Sequence, residues 1–167
     1  MATNSKYMQT PIHWSLKPFR DLSPQELYDI LQLRSQVFVV EQQCIFQDLD
    51  GKDQSCWHLT AYVEDHLIAT ARLMPPGLAY PEASIGRVVT SFSVRGQKYG
   101  KQLMERSVQE CARLFGPGQI CIGAQCYLLA FYGSVGFIAE GAMYMEDDIP
   151  HVKMRHPGAG YQLPEVL

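Results

Sequence analysis

Ser84–Phe115 reads SIGRVVTSFSVRGQKYGKQLMERSVQECARLF, and the rest of the chain is organised around it. Ser84–Thr90 is short, β-branched and apolar around a single arginine, which suits a buried strand. Arg95-Gly96-Gln97-Lys98-Tyr99-Gly100 is a tight glycine-bearing turn. From Lys101 onward, Leu103, Met104, Val108, Cys111, Ala112 and Phe115 recur at the three-four spacing of an amphipathic helix, which Gly116-Pro117-Gly118 ends. A turn feeding a helix start presents backbone N–H groups that lack intrahelical acceptors, and the helix dipole adds partial positive charge there. Glycines admit a phosphate close to that backbone, and Arg95, Lys98 and Lys101 add full charges.

The turn lacks the G-x4-G-K-[ST] spacing of a P-loop and the G-x-G-x-x-G of a dinucleotide fold. It resembles the [RQ]-x-x-G-x-[GA] motif of the GNAT superfamily of acetyl-CoA-dependent N-acetyltransferases, with Lys98 where that family usually has its middle glycine. Further on, Gln125-Cys-Tyr-Leu-Leu-Ala-Phe-Tyr132-Gly-Ser-Val-Gly136-Phe137 is similar to the family's N-x-x-A-[IL]-x-[LF]-Y-x-x-x-G-F, with Gln125 in place of the usual Asn. The segments LRSQVFVVEQQCIFQDLDGKD, GRVV, RGQKYGKQLM, GAQ, FY, GF and DDIPHVKM resemble the ElaA-like branch of these proteins over roughly residues 12–155.

Around this centre the chain orders itself by local signals. Ile12–Leu16 alternates as a strand does. Ser23-Pro24-Gln25-Glu26 is a helix start with a capping box, and that helix ends or changes near Val39–Gln43. Ile45–Ser55 reads as an acidic loop. His58–Glu64 and Leu67–Met74 form a hairpin pattern around Asp65-His66. Gln119–Ala124 is a further strand, parallel to Ser84–Thr90 because a helix separates them. Tyr127–Val135 is a short helix, and Phe137–Met145 and His151–Arg155 close the chain as two strands joined through Glu146–Pro150. The expected fold class is α/β: a mixed sheet of about six to seven strands with helices on both faces. The resemblance adds a splay between the two central parallel strands. Residues 11–156 are expected to form one domain, with a flexible tail over 1–10 and a C-terminal tail over 157–167.

A net charge of −3 gives no footprint for nucleic acid or an anionic membrane surface. No apolar run approaches the ~18 residues of a membrane span, and MATNSKYMQT lacks an apolar signal core. Five scattered cysteines then read as reduced thiols, which sets the expectation of a cytoplasmic protein without a metal site.

The resemblance implies acetyl-CoA as co-substrate and direct attack of an amine on its thioester, with no enzyme cysteine required. It implies that the turn Arg95, Gly96, Gln97, Lys98, Tyr99, Gly100 and Lys101 cradles the pyrophosphate. It places the pantetheine arm beside Val88, Val89 and Thr90, whose backbone would pair with the arm's amides and polarise the thioester carbonyl. Gln125 and Phe131 belong to the coenzyme side, and Tyr132 protonates the leaving thiolate, since a phenol of pKa about 10 is un-ionised at neutral pH. An amine with pKa near ~10.4 must also lose a proton, and Glu41 and His151 are the first candidates for that base. Arg34, Asp48, Asp50 and His58 are candidates for a polar acceptor pocket suited to a cationic amine. The acceptor is a small molecule or a protein amine, and a homodimer is in keeping with the family. Two other readings stay open: a coenzyme A-binding sensor or scaffold without catalysis, and a transferase using another acyl-CoA such as succinyl-CoA.

Overall fold

A computed structural model describes residues 10–160. The expected N-terminal tail, apart from Thr10, and the C-terminal tail beyond Gly160 lie outside the described residues. The elements are β1 (Ile12–Pro18), α1 (Pro24–Arg34), β2 (Trp57–Val63), β3 (His66–Met74), β4 (Ser84–Thr90), α2 (Tyr99–Phe115), β5 (Ile120–Gln125), α3 (Leu129–Gly133), β6 (Ile138–Glu146) and β7 (Ile149–His156). The class is mixed α/β, as the local patterns require.

Local chemistry accounts for the element ends. Ser23 caps α1 by accepting from the Glu26 N–H, while the Glu26 carboxylate accepts from the Ser23 N–H, and Pro24 occupies the first turn. Past Arg34 the helix does not stop but widens into a π-helical segment, Ser35–Glu41, in which Gln42 N–H donates to Val37 O at 3.2 Å. Helix α2 buries Leu103, Met104, Val108 and Cys111 on one stripe, and Gly116 N–H closes its end on Ala112 O. Asp147 and Asp148 link β6 to β7 with φ of 48° and 61°, the positive pair that a two-residue I′ hairpin turn needs.

The strands make two sheets, one in the order β1-β2-β3-β4 and one in the order β5-β7-β6. The expected single sheet is therefore divided. The parallel relation expected for β4 and β5 is one bridge, Ala83↔Ile120, with Cys121 N–H donating to Ala83 O at 2.9 Å. Element order dictates that two strands joined through a helix run parallel, but not how many rungs they share.

The chain groups into two compact units. The first comprises residues up to Arg72 together with Arg87–Leu103, and its buried apolar residues include a cluster of Leu33, Val37 and Val89 against Phe38 and Leu67. The second comprises Leu73–Gly86 and the chain from Met104 onward. Its core includes Met104, Ile122, Ala124, Tyr132, Phe137, Val152 and Met154. Among the described residues no helix is long and apolar enough to cross a membrane.

Candidate active site

In the first unit the chain leaves β4 through a 3-10 turn at Phe92–Val94 and folds into the turn that precedes α2. Gln97 N–H donates to Val94 O, Gly96 has φ 80° and Lys98 has φ 64°. Left-handed residues in such a turn can aim neighbouring backbone N–H groups into a concavity that suits an anion. Lys98 occupies the left-handed region at a cost of about 1 kcal/mol relative to glycine, which explains why glycine suits this position. Gln102 N–H donates to Lys98 O at 3.1 Å and closes the first turn of α2, so Tyr99 and Gly100 open the helix. Tyr99 is buried, Gly100 half-buried, and Lys98 and Lys101 are exposed. Gln97 Nε2 reaches Ser93 O at 3.5 Å. The Arg95 guanidinium lies over the Phe92 ring, donates to Thr90 O at 3.3 Å and pairs with Glu41 at 2.8 Å. Two residues assigned different tasks by the sequence, Arg95 and Glu41, are thus direct partners. Within β4, Val89 is buried in the apolar cluster and Val88 and Thr90 are half-buried.

The same unit holds a closed ring of six charges. Arg34 pairs with Asp48 at 2.8 Å and Asp53 at 2.7 Å; Arg72 pairs with Asp53 at 3.1 Å and Asp50 at 2.8 Å; Arg87 reaches Asp50 at 3.4 Å and Asp48 at 2.6 Å. Arg34 is 1% exposed, and Asp48, Asp53 and Arg72 are also buried. Hydrogen bonding to Arg72 holds the Asp50 carboxyl far below the ordinary carboxylate range. For Asp53, burial acts upward, but hydrogen bonding and charge from Arg34 and Arg72 bring the net shift down. His58 is buried, and its Nε2–H donates to Asp53 O at 3.2 Å. Burial pushes its pKa down. The structure thus brings Arg34, Asp48, Asp50 and His58 together, with their charges spent on one another and on Asp53, Arg72 and Arg87. The sequence reading did not select Arg72 or Arg87. Their signal is an arginine in the middle of an apolar strand, which needs a buried counter-charge.

In the second unit, Tyr132 sits in a run of aromatic edges. Its ring meets Phe131 at 5.1 Å and Phe137 at 6.0 Å, both edge-on. It is 8% exposed, and burial pushes its hydroxyl up to about 12, so the phenol keeps its proton at neutral pH. The hydroxyl makes no hydrogen bond among the described residues. Gln125 ends β5, and across the sheet it faces His151, which faces Tyr144 in turn. His151 stacks on Tyr144 at 5.8 Å. Its Nδ1–H donates to Ile149 O at 2.7 Å, which fixes the tautomer and leaves Nε2 as the basic nitrogen. Nε2 lies 3.9 Å from Glu146 Oε2. All five cysteines are free, and among the described residues no His, Cys, Asp or Glu group is arranged to hold a metal ion.

Comparison with known proteins agrees with this architecture. Residues 19–156 match the family model described as an acetyltransferase (GNAT) domain. Protein ElaA of Escherichia coli is 40% identical over 145 residues, which cover 86% of this chain and 95% of ElaA. A UPF0039 protein of Synechocystis is 40% identical over 144 residues, covering 86% of this chain and 94% of that protein. Among solved structures, an acyl-CoA N-acyltransferase from Pseudomonas aeruginosa superposes with a TM-score of 0.80 at 44% identity, covering 86% of this chain and 99% of that one. The crystal structure of Escherichia coli ElaA gives 0.82 at 38% identity, covering 87% and 99%. By family model, by relatives and by fold, the chain belongs to the GNAT acetyltransferase family, in its ElaA-like branch.

Proposed function

We propose that this protein transfers the acetyl group of acetyl-CoA directly to a primary amine. The observation that carries the reading is the turn before α2, where left-handed Gly96 and Lys98 precede a helix start and Arg95, Lys98 and Lys101 lie along the same stretch of chain. That chemistry suits a pyrophosphate, held by the backbone of Gly96–Lys101 with Gln97 and Tyr99 shaping the turn. The arm runs beside Val88, Val89 and Thr90, with Gln125 and Phe131 on the coenzyme side. A backbone N–H near Val89 polarises the thioester carbonyl. Tyr132 gives its proton to the departing thiolate, and the raised hydroxyl pKa supports a phenol that is present as the acid.

For the base, the fixed tautomer of His151 favours its Nε2. Glu41, the other candidate, is already engaged by Arg95. In the acceptor pocket, Asp50 retains 22% side-chain exposure and is the carboxylate that can meet an ammonium group. Arg34, Asp48 and His58 would frame that pocket rather than touch the amine. Residues 11–156 would act as one catalytic domain in the cytoplasm, with a second copy as a candidate partner.

Thermal melting with acetyl-CoA, succinyl-CoA, free coenzyme A and ATP tests the reading, followed by thiol release across a panel of amines. At ~100-fold excess over the dissociation constant, the bound coenzyme should add about 2.7 kcal/mol of stability. A melting curve unmoved by millimolar acetyl-CoA would remove the cofactor assignment. Binding without thiol release for any amine would leave a coenzyme A sensor instead.

A further inference from the structure

Arg87 lies in the middle of β4, yet its φ is 49°, inside the left-handed region. A side chain with a Cβ is strained there, and such strain persists only where the surroundings over-determine it. Here the charge ring does so. Arg87 Nε meets Asp48 Oδ1 at 2.6 Å as a charge pair rather than an aligned hydrogen bond. Its Nη2 donates to Asp48 O at 2.9 Å. Asp48, 5% exposed, is anchored from its other oxygen by Arg34 Nε at 2.8 Å. Arg72 of β3 holds Asp50 and Asp53 of the same loop. Moving Asp48 would leave the buried Arg34 short of a counter-charge, so the loop presents its carboxylate to Arg87 in one geometry.

A left-handed residue inside a strand rotates the peptide that follows it, as bulges beside active sites do when they re-aim a group. The peptide that follows Arg87 begins Val88–Thr90. We propose that Asp48 and Arg87 are positioning residues: their ion pair holds the left-handed kink in β4, and the kink sets the direction of the Val88–Thr90 backbone groups that receive the coenzyme arm. The inference rests on the acetyl-CoA reading given above. It assigns Asp48 a task other than contact with the amine.

The discriminating pair is Arg87→Gly against Arg87→Ala. Both remove the same charge and leave Asp48 with the same vacancy, but only glycine takes φ 49° without strain. Acetyl-CoA affinity by calorimetry should stay within about threefold of wild type in Arg87→Gly and weaken about tenfold in Arg87→Ala, because alanine relaxes to the extended form and must be kinked again on binding. The amide resonances of Val88, Val89 and Thr90, read without ligand, should overlay wild type in the glycine variant and move in the alanine variant. Equal weakening in both would mean that the guanidinium itself contacts the coenzyme, and the positioning role falls. No weakening in either would also overturn it. If Arg87→Ala does not fold, Asp48→Asn replaces it: loss of affinity restored by adding Arg87→Gly supports the proposal, and loss without restoration overturns it. If wild type fails to bind acetyl-CoA, the coenzyme reading is wrong, and the kink is judged on the resonances alone. Displacement in the alanine variant only supports the pin, and overlay in both variants removes it.

Discussion

Arg95 Nη2 lies 2.8 Å from Glu41 Oε2, so the turn before α2 is tied to the end of the π-helical segment that follows α1. The carboxylate occupies the guanidinium as a phosphate oxygen would. With side chains 40% and 29% exposed, the pair contributes at most about 1 kcal/mol. Glu41→Gln should therefore tighten acetyl-CoA binding by up to about fivefold, since the pyrophosphate no longer competes for Arg95. Turnover in Glu41→Gln should fall less than tenfold, whereas His151→Gln should lose about 10²-fold. Calorimetry and thiol release at saturation read both. An unchanged dissociation constant would place the pyrophosphate away from Arg95, and the reverse order of turnover losses would make Glu41 the base.

Gly100→Asp should weaken acetyl-CoA binding more than Arg95→Ala does. Gly100 opens α2 next to left-handed Lys98, and a carboxylate there opposes an anion at a helix N-terminus by charge and by bulk. The alanine variant keeps the backbone donors. Equal losses would mean that side-chain charge, not the N–H groups, carries the cradle.

Tyr132→Phe should leave stability within about 0.5 kcal/mol, because the hydroxyl makes no hydrogen bond among the described residues and the edge-on ring contacts with Phe131 and Phe137 remain. Acyl transfer should slow about 10²-fold with coenzyme binding nearly constant, as expected when a proton donor to the transition state is lost. A denaturant melt and thiol release on one sample decide it. Lower stability with normal turnover would take Tyr132 out of the mechanism.

Arg34→Met should cost about 3–5 kcal/mol. It removes the guanidinium that bridges Asp48 and Asp53, both buried, and leaves each with one arginine in place of two. A loss under about 1 kcal/mol in a urea melt would show that the ring tolerates an open side.

Acidification should lower the melting temperature in two stages. Burial sets the folded pKa of His58 below its unfolded value of about 6.5, so the unfolded chain binds the proton first. Stability from this group is full above about pH 6.5 and drains as pH falls toward the folded pKa. His156, also lowered by burial, acts in the same sense. Each can contribute a slope of up to about 1.4 kcal/mol per pH unit. Asp50 and Asp53, lowered by their arginines, add a second loss only below about pH 4. His58→Gln should roughly halve the first stage in melts from pH 8 to pH 5. A slope identical to wild type would assign that stage to other groups.

What the sequence determined by itself lies within a turn or two of chain. The Ser23–Glu26 capping box involves residues three apart, and α2 shows its buried stripe in the spacing of Leu103, Met104, Val108 and Cys111. The turn at Arg95–Gly100 shows its glycines directly, and only the φ of Lys98 explains why glycine suits the position that lysine fills. These features are legible because neighbouring residues supply both halves of each interaction. The charge ring is different. Arg34 and Asp48 are 14 positions apart, Arg87 and Asp48 39, and Arg95 and Glu41 54. Read locally, Asp48, Asp50 and Asp53 form an acidic loop like any solvated one. Which arginines they meet depends on where β3 and β4 carry Arg72 and Arg87, and on the path by which the loop returns to them. The left-handed kink at Arg87 has the same origin. It is set by which distant groups the folded chain brings within a few ångströms, and no spacing along the chain records that distance.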